Sequence, residues 1–228
     1  GLLSKNNLDS LTKLPLSIKF TPDSHREGLA TYFRAYIQNF MQKWVQENPK
    51  QNGQKYDIYR DGLKIYTTID SRLQGIAEKA VNSHMSNLQE EFFKQNTSDL
   101  NPTAPFLDLR EGQIDTLINL SAKRSERWRV MKLKGKSEQE IKESFKNPIP
   151  MTVFDWKGER DTIMSPLDSI KYYKHFLRAS MMSMEPSTGH VKVWVGGFNY
   201  KHFQYDQVKQ GRRQIGSTFK PFLYATAI

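Results

Sequence analysis

The sequence predicts an α+β fold, and four observations predict it. Residues 27–45 place apolar side chains at Leu29, Tyr32, Phe33, Tyr36, Ile37, Phe40, Met41, Trp44 and Val45, the i, i+3, i+4, i+7 spacing of a long amphipathic helix with one buried face. Residues 63–69, Leu-Lys-Ile-Tyr-Thr-Thr-Ile, alternate with the two-residue period and the β-branched and aromatic content of a strand. Asp70 then stands as the N-cap of a helix whose apolar stripe is Leu73, Ile76, Ala77, Ala80, Val81, Leu88 and Phe92. Residues 180–195 spell a β-hairpin around Pro186-Ser-Thr-Gly189, with Val191, Val193 and Val195 on one face and Gly189 free to take the positive φ of a turn.

The remaining stretches join these elements. Residues 1–22, with Leu14-Pro15-Leu16 and Thr21-Pro22, read as an extended connector, because proline restricts both its own φ and its predecessor's backbone. Residues 46–55, with Asn48, Pro49 and Gly53, break the helical period and read as a loop. Residues 95–160 are polar and interrupted by Pro102, Pro105, Pro148 and Pro150; short helices are expected near 109–120 and 137–145, on either side of a basic centre at 123–136. Ser165-Pro166 has the cap and first-turn proline of a further helix, 198–216 is polar, aromatic and basic, and 217–228 reads as a helix. The expected division is a connector with its amphipathic helix at 1–55, then one domain at 56–228 carrying a polar and basic insertion at about 95–160. Gly1 in place of a methionine, and the uncapped run 224–228, read as cut ends.

Composition narrows the function classes. With 228 residues and 12% aromatics the chain can bury a real core, although only 37% of it is hydrophobic. The absence of cysteine excludes disulfides and thiolate metal sites. No apolar run approaches the roughly 20 residues needed to span a bilayer, and no basic-then-apolar leader opens the chain. His25, His84, His175, His190 and His202 are scattered without a carboxylate or second histidine at ligand spacing, so no metal and no cofactor are expected. Glu90-Glu91 reads as a solvated helix face, and Tyr36 and Trp44 read as core.

The formal charge of +10 points to a class of partner and no further. The run 123–136, with Trp128 inside it, is a solvated surface on its plainest reading. On a functional one, Lys123, Arg124, Arg127 and Arg129 dock anionic lipid headgroups or an acidic partner. A nucleic-acid module is the rival class, against which stands the lack of any recognition motif such as an aromatic-rich ribonucleoprotein box; no nucleic-acid partner is expected.

One tetrad carries chemistry. In Ser217-Thr218-Phe219-Lys220, serine and lysine lie three residues apart and share a face when helical. A serine hydroxyl becomes a useful nucleophile only when a neighbouring base takes its proton, and a lysine is a base only when neutral. From a reference near 10.4, neutrality at pH 7 takes a depression of about three units, which helix N-termini, nearby cations and partial burial all favour. The same spacing occurs at Ser10-Leu-Thr-Lys13, so the tetrad alone reads first as a solvated serine and lysine. Context separates the two: Lys13 leads into Leu14-Pro15, whereas Pro221, tolerated only in a first turn, places a helix start at or near Ser217, where free backbone N–H groups can hold an oxyanion.

The run Arg213-Gln-Ile-Gly-Ser-Thr-Phe-Lys-Pro-Phe222 resembles the acylation-site signature of class A penicillin-binding proteins. Gly62-Leu-Lys-Ile-Tyr-Thr-Thr-Ile-Asp70 with Leu73-Gln74 resembles the opening strand and helix of their transpeptidase domain, and Met184-Glu-Pro-Ser-Thr-Gly189 through Val195-Gly-Gly197 resembles the hairpin before the catalytic helix. Gly1-Leu-Leu-Ser-Lys5, Leu14-Pro-Leu16 and Tyr32-Phe33 resemble the exit from the upstream glycosyltransferase domain. These segments cover most of the chain except about 95–160.

The resemblance implies a connector followed by part of a penicillin-binding, β-lactamase-like domain. It implies Ser217 as the acylated nucleophile and Lys220 as its base, with peptidoglycan stem peptides and β-lactams as ligands and other cell-wall synthesis proteins as partners for Lys123, Arg124, Arg127 and Arg129. It also implies a location outside the cytoplasmic membrane with an upstream anchor. The family's S-x-N and K-T-G motifs do not follow Ser217 in these residues, so the 228 residues by themselves are expected to be inactive. A stand-alone S-x-x-K hydrolase of the β-lactamase type is the alternative within enzymes.

Overall fold

The computed structural model describes residues 27–227 and Thr12. The connector at 1–22, His25 and the Ser10–Lys13 tetrad otherwise lie outside the described residues. Helices α1 (Thr31–Glu47), α2 (Ser71–Gln95), α3 (Glu111–Lys123), α4 (Glu126–Leu133) and α5 (Glu138–Ser144) precede strands β1 (Ile149–Asp155) and β2 (Gly158–Met164). Then follow α6 (Pro166–Lys174), β3 (Met181–Met184), β4 (Val191–Val195), α7 (Gln207–Gln210), a 3₁₀ turn (Gly216–Phe219) and α8 (Lys220–Ala227). Each strand pair forms its own antiparallel two-stranded sheet, so the expected mixture of helix and strand holds.

The expected hairpin is β3–β4, with Gly189 at φ 72° in its turn and Val193 and Val195 buried against Ala77 of α2. The amphipathic helix starts later than its apolar pattern, because Gly28 and Ala30 both take positive φ and the helical path opens only at Thr31. Tyr32, Met41 and Val45 are buried, but Phe40 of the expected stripe is half exposed.

Helix α2 begins where Asp70 accepts hydrogen bonds from Arg72 N and Leu73 N, which hold its carboxyl below the usual range. Its phase corrects the sequence reading. The inward row is Gln74, Ala77, Val81, Met85 and Gln89, while Leu73, Ile76 and Leu88 point outward. Two glutamines, both fully buried, sit where apolar residues were expected, because each carboxamide bonds main chain. Gln74 accepts from Trp194 N (2.8 Å) and donates to Trp194 O (2.9 Å), and Gln89 donates to His175 O (2.9 Å) and accepts from Leu177 N (2.8 Å).

The expected strand at 63–69 is instead an extended segment with no ladder of its own. It meets β4 only at its end, where Asp70 N donates to Lys192 O (3.0 Å) and the Thr68 hydroxyl to Val191 O (2.7 Å). Beyond that point the Gln74 carboxamide takes the place of a partner strand at Trp194, and Gln207 N donates to Gly196 O (2.9 Å). The outer edge of β4 thereby meets partners at Lys192 O, at both main-chain groups of Trp194 and at Gly196 O. On the other side Met182 stands opposite Trp194, whose own N–H and C=O are turned to Gln74, so the backbone groups of Met182 face away from β4. Met181, Met182 and Met184 are all exposed.

Two further apolar clusters lie apart from the valine face of this hairpin. Ala122, Trp128, Ile141 and Phe145 form the centre of α3–α5, closed by Leu167 and Ile170 of α6. Phe154, Phe176, Phe198 and Phe203 form the other, an aromatic core that joins the β1–β2 hairpin to the loop after β4, with Val81 of α2 touching both it and the β4 valines. Ser125, Ser137 and Ser165 cap α4, α5 and α6.

Candidate functional site

The path to Ser217 starts at the two glycines that end β4. A Cβ on Gly196 would lie 2.8 Å from Tyr32 Cδ1, and one on Gly197 would lie 2.8 Å from Tyr32 Cζ. Only bare backbone lets the Tyr32 ring in, and its hydroxyl then donates to Phe203 O at 2.6 Å. Burial raises the Tyr32 pKa well above the tyrosine range, so the hydroxyl remains a donor. Phe33 and Tyr36 lie against Trp194, with ring centroids 5.8 and 5.2 Å away. The Trp194 indole N–H donates to Asp206 Oδ2 at 3.0 Å, while Asp206 Oδ1 caps α7 at Val208 N and Lys209 N. Helix α1 therefore fixes the loop 198–206 and the start of α7.

Arg178 lies over the Phe203 ring at 3.7 Å. The residue as a whole is exposed, but its guanidinium head is desolvated there, and burial lowers its pKa to about 10. Around His202 a chain of contacts ties the β1–β2 hairpin to the same loop. Tyr173 Oη is 3.0 Å from His202 Nδ1, and His202 Nε2 is 2.7 Å from Glu159 Oε1, which also pairs with Lys201 at 2.7 Å.

From Gly211 onward every described residue is exposed. Gly216 takes φ 52°, which turns the chain into the 3₁₀ turn, and Thr218 N bonds Ile215 O at 3.2 Å. The regular helix starts at Lys220, three residues later than the sequence placed it, and Lys220 N donates to Ser217 O. Pro221 explains the order: it fits an early helical position, and the tighter turn before it absorbs the entry. Ser217 lies within this turn and Lys220 directly follows it, but their side chains are not brought into a hydrogen bond, and among the described residues neither side chain has a polar partner. Phe219, Phe222, Leu223 and Tyr224 are exposed beside them.

The four cations singled out at 123–129 are mostly engaged within the helical unit. Lys123 Nζ lies 3.7 Å from Glu138 and 5.8 Å from the Trp128 ring centroid. Arg127 covers the Phe145 ring at 5.7 Å, and Arg129 Nε bonds Glu126 at 2.7 Å. Arg124 is the C-cap of α3. Among the described residues no group of three His, Cys, Asp or Glu could hold a metal ion.

Tyr32 was legible as part of the buried stripe of α1; the residues missed by sequence are the other supports, Asp206 and the core phenylalanines Phe198 and Phe203. The polar tenor of 198–216 concealed them; the pair Gly196-Gly197 was the available sign of a close approach.

A family model described as the Penicillin-binding protein middle domain matches residues 101–177, which lie mostly in the stretch that the sequence reading left without a relative. Penicillin-binding protein 1A of Neisseria flavescens is 26% identical over 237 residues, covering 86% of this chain and 28% of that protein. The same-named protein of Haemophilus influenzae is 23% identical over 251 residues, covering 99% and 27%. That of Pseudomonas aeruginosa is 37% identical over 51 residues, covering 22% and 6%. No solved structure matches the chain. The chain spans about a quarter of the length of the curated relatives that match most of it. Penicillin-binding proteins 1A aligned along most of its length, with the middle-domain model within it, support the chain as a fragment of a class A penicillin-binding protein.

Proposed function

We propose that these residues carry the acylation segment of a peptidoglycan D,D-transpeptidase within a bifunctional cell-wall synthase. Ser217 is the nucleophile and Lys220 the residue that takes its proton. The observation that carries this reading is the tetrad's position: Ser217 sits in the turn that left-handed Gly216 opens, and Lys220 is the first residue of α8, which continues it. Two other features support it, namely the rigid path from α1 through Asp206 to α7 and the penicillin-binding relatives.

In the proposed step Ser217 Oγ attacks the carbonyl of the penultimate D-Ala of a stem peptide while Lys220 Nζ accepts the hydroxyl proton. The C–N bond to the terminal D-Ala breaks, the leaving amine takes a proton, and an acyl-enzyme remains. An amine of a second stem attacks that ester and returns the proton to Ser217. A β-lactam opens on the same oxygen and stays bound.

This chemistry places the site outside the cytoplasmic membrane; among the described residues no helix is long and apolar enough to cross one. After Ser217 these residues hold neither S-x-N nor K-T-G, the groups that would add oxyanion and carboxylate contacts. Losing one oxyanion donor costs about 10² to 10³ in rate. Fluorescent penicillin should therefore label a polypeptide that joins these residues to both motifs, and Ser217→Ala should abolish the label, while the 228 residues alone stay unlabelled. Labelling that survives Ser217→Ala would mean that the nucleophile is another residue.

A further inference from the structure

The end of α4 has an exposure pattern that neither the transpeptidase chemistry nor the packing of the helical unit uses. Between Lys123 and Lys136 stand seven cations and one carboxylate. The structure divides them. Lys123, Arg127 and Arg129 are turned to Glu138, Phe145 and Glu126, and Lys136 pairs with Glu140 at 2.9 Å. Arg124, at the C-cap of α3, and Lys132 and Lys134, at the end of α4, are exposed and have no ion-pair partner among the described residues. Between the two lysines Leu133 is 74% exposed, at the last position of the helix. Gly135, at φ 77°, reverses the chain, with Gly135 N bonded to Lys132 O (3.0 Å) and Lys136 N to Met131 O (3.2 Å), so the turn is fixed by main chain while its side chains stay in solvent. Below it Trp128 is buried in the unit's core, and Met131 packs against that core. The turn is thus a rigid tip with one protruding apolar side chain between two uncompensated ammonium groups.

We propose that this tip, Lys132-Leu133-Lys134, docks the helical unit on an anionic phospholipid surface. The ammonium groups meet lipid phosphates, and Leu133 enters the boundary between headgroups and acyl chains. Charge complementarity favours an anionic partner. A single side chain on a convex turn suits insertion into a fluid interface better than it suits a protein surface, where apolar anchors fill preformed pockets. The lysines also complement the C-terminal end of the α4 dipole, but that role leaves the exposure of Leu133 without a use. The proposal stands or falls independently of acylation at Ser217.

The test is sedimentation of the 228-residue chain with phosphatidylglycerol vesicles, and with phosphatidylcholine vesicles as the neutral arm, at several salt concentrations. Lysines near an anionic surface contribute about fivefold each, so Lys132→Glu with Lys134→Glu should lower the partition coefficient at least about 25-fold. Leu133→Ser should lower it by about three- to tenfold. The charge-matched control Lys171→Glu with Lys174→Glu, on α6, should stay within about twofold. All three positions at the tip are exposed, so thermal melts should be unchanged. Absence of binding to phosphatidylglycerol overturns the proposal. So does a control that falls as far as the tip variant, which would make the attraction a property of the net charge. Retention of full binding by Leu133→Ser would leave an electrostatic patch equally suited to a soluble acidic partner, and that outcome also refutes it.

Discussion

Replacing Gln74 by leucine tests the phase of α2, the element whose inward face differs most from its apolar pattern. The carboxamide makes three hydrogen bonds in a fully buried position, two with the backbone of Trp194 and one, at 2.8 Å, to Glu78 Oε1. Leucine fills a similar volume but leaves the Trp194 N–H and C=O unpaired beneath the helix. Each such orphan costs about 1–3 kcal/mol, and the apolar replacement returns part of that, so a net loss of about 2–4 kcal/mol is expected. For a chain of this size the loss lowers the melting temperature by roughly 5–15 °C. Urea unfolding gives the free energy, and amide exchange at Trp194 should accelerate in parallel. The paired control is Leu73→Gln one position earlier, where 44% exposure predicts a change within about 0.5 kcal/mol. If Gln74→Leu matches or exceeds the unaltered chain in stability, or if Leu73→Gln is the more damaging change, the observed phase is wrong and the apolar stripe is the buried face after all.

Three further outcomes follow from the supports. Gly197→Ala drives a Cβ to 2.8 Å from Tyr32 Cζ and should cost at least about 2 kcal/mol, read by denaturant titration. Trp128→Ala removes the largest side chain of the α3–α5 core and should cost about 3–5 kcal/mol, with calorimetry showing that unit melting ahead of the rest. Lys201 first, then His202, holds the Glu159 carboxyl below its usual range; a depressed carboxylate stabilises the fold above its unfolded value near 4.5 and loses that contribution as pH falls through the folded value. The stability gap between the unaltered chain and Glu159→Gln should accordingly be present at pH 6 and close toward pH 3, and a gap that widens in acid would contradict the assignment.

What the sequence made legible was whatever a local signal controls. Asp70, Ser137 and Ser165 mark their helix starts correctly because a cap bonds within its own next turn. The β3–β4 hairpin was legible for the same reason, its turn needing only Gly189. What failed depends on partners far along the chain. Gln74 and Gln89 reach 120 and 86 residues away, so nothing around them says that they belong inside. The segment 63–69 has a strand's alternation, but a ladder needs a neighbour at every other residue, and it meets β4 only at its end. At the proposed site the tetrad was legible as a motif, and the 3₁₀ entry was not, because the effect of Pro221 on the preceding turn depends on the path set by Gly216.

The unequal finish of the two edges of β3–β4 gives the small sheet a direction of growth. A carboxamide and two main-chain donors already occupy the outside of β4, so any further strand, from this polypeptide or another copy, can be templated only along Met181–Met184. At high concentration that methionine-lined margin is the side of this sheet on which another copy of the chain can pair, and Met182→Lys should suppress such pairing without touching the valine face beneath.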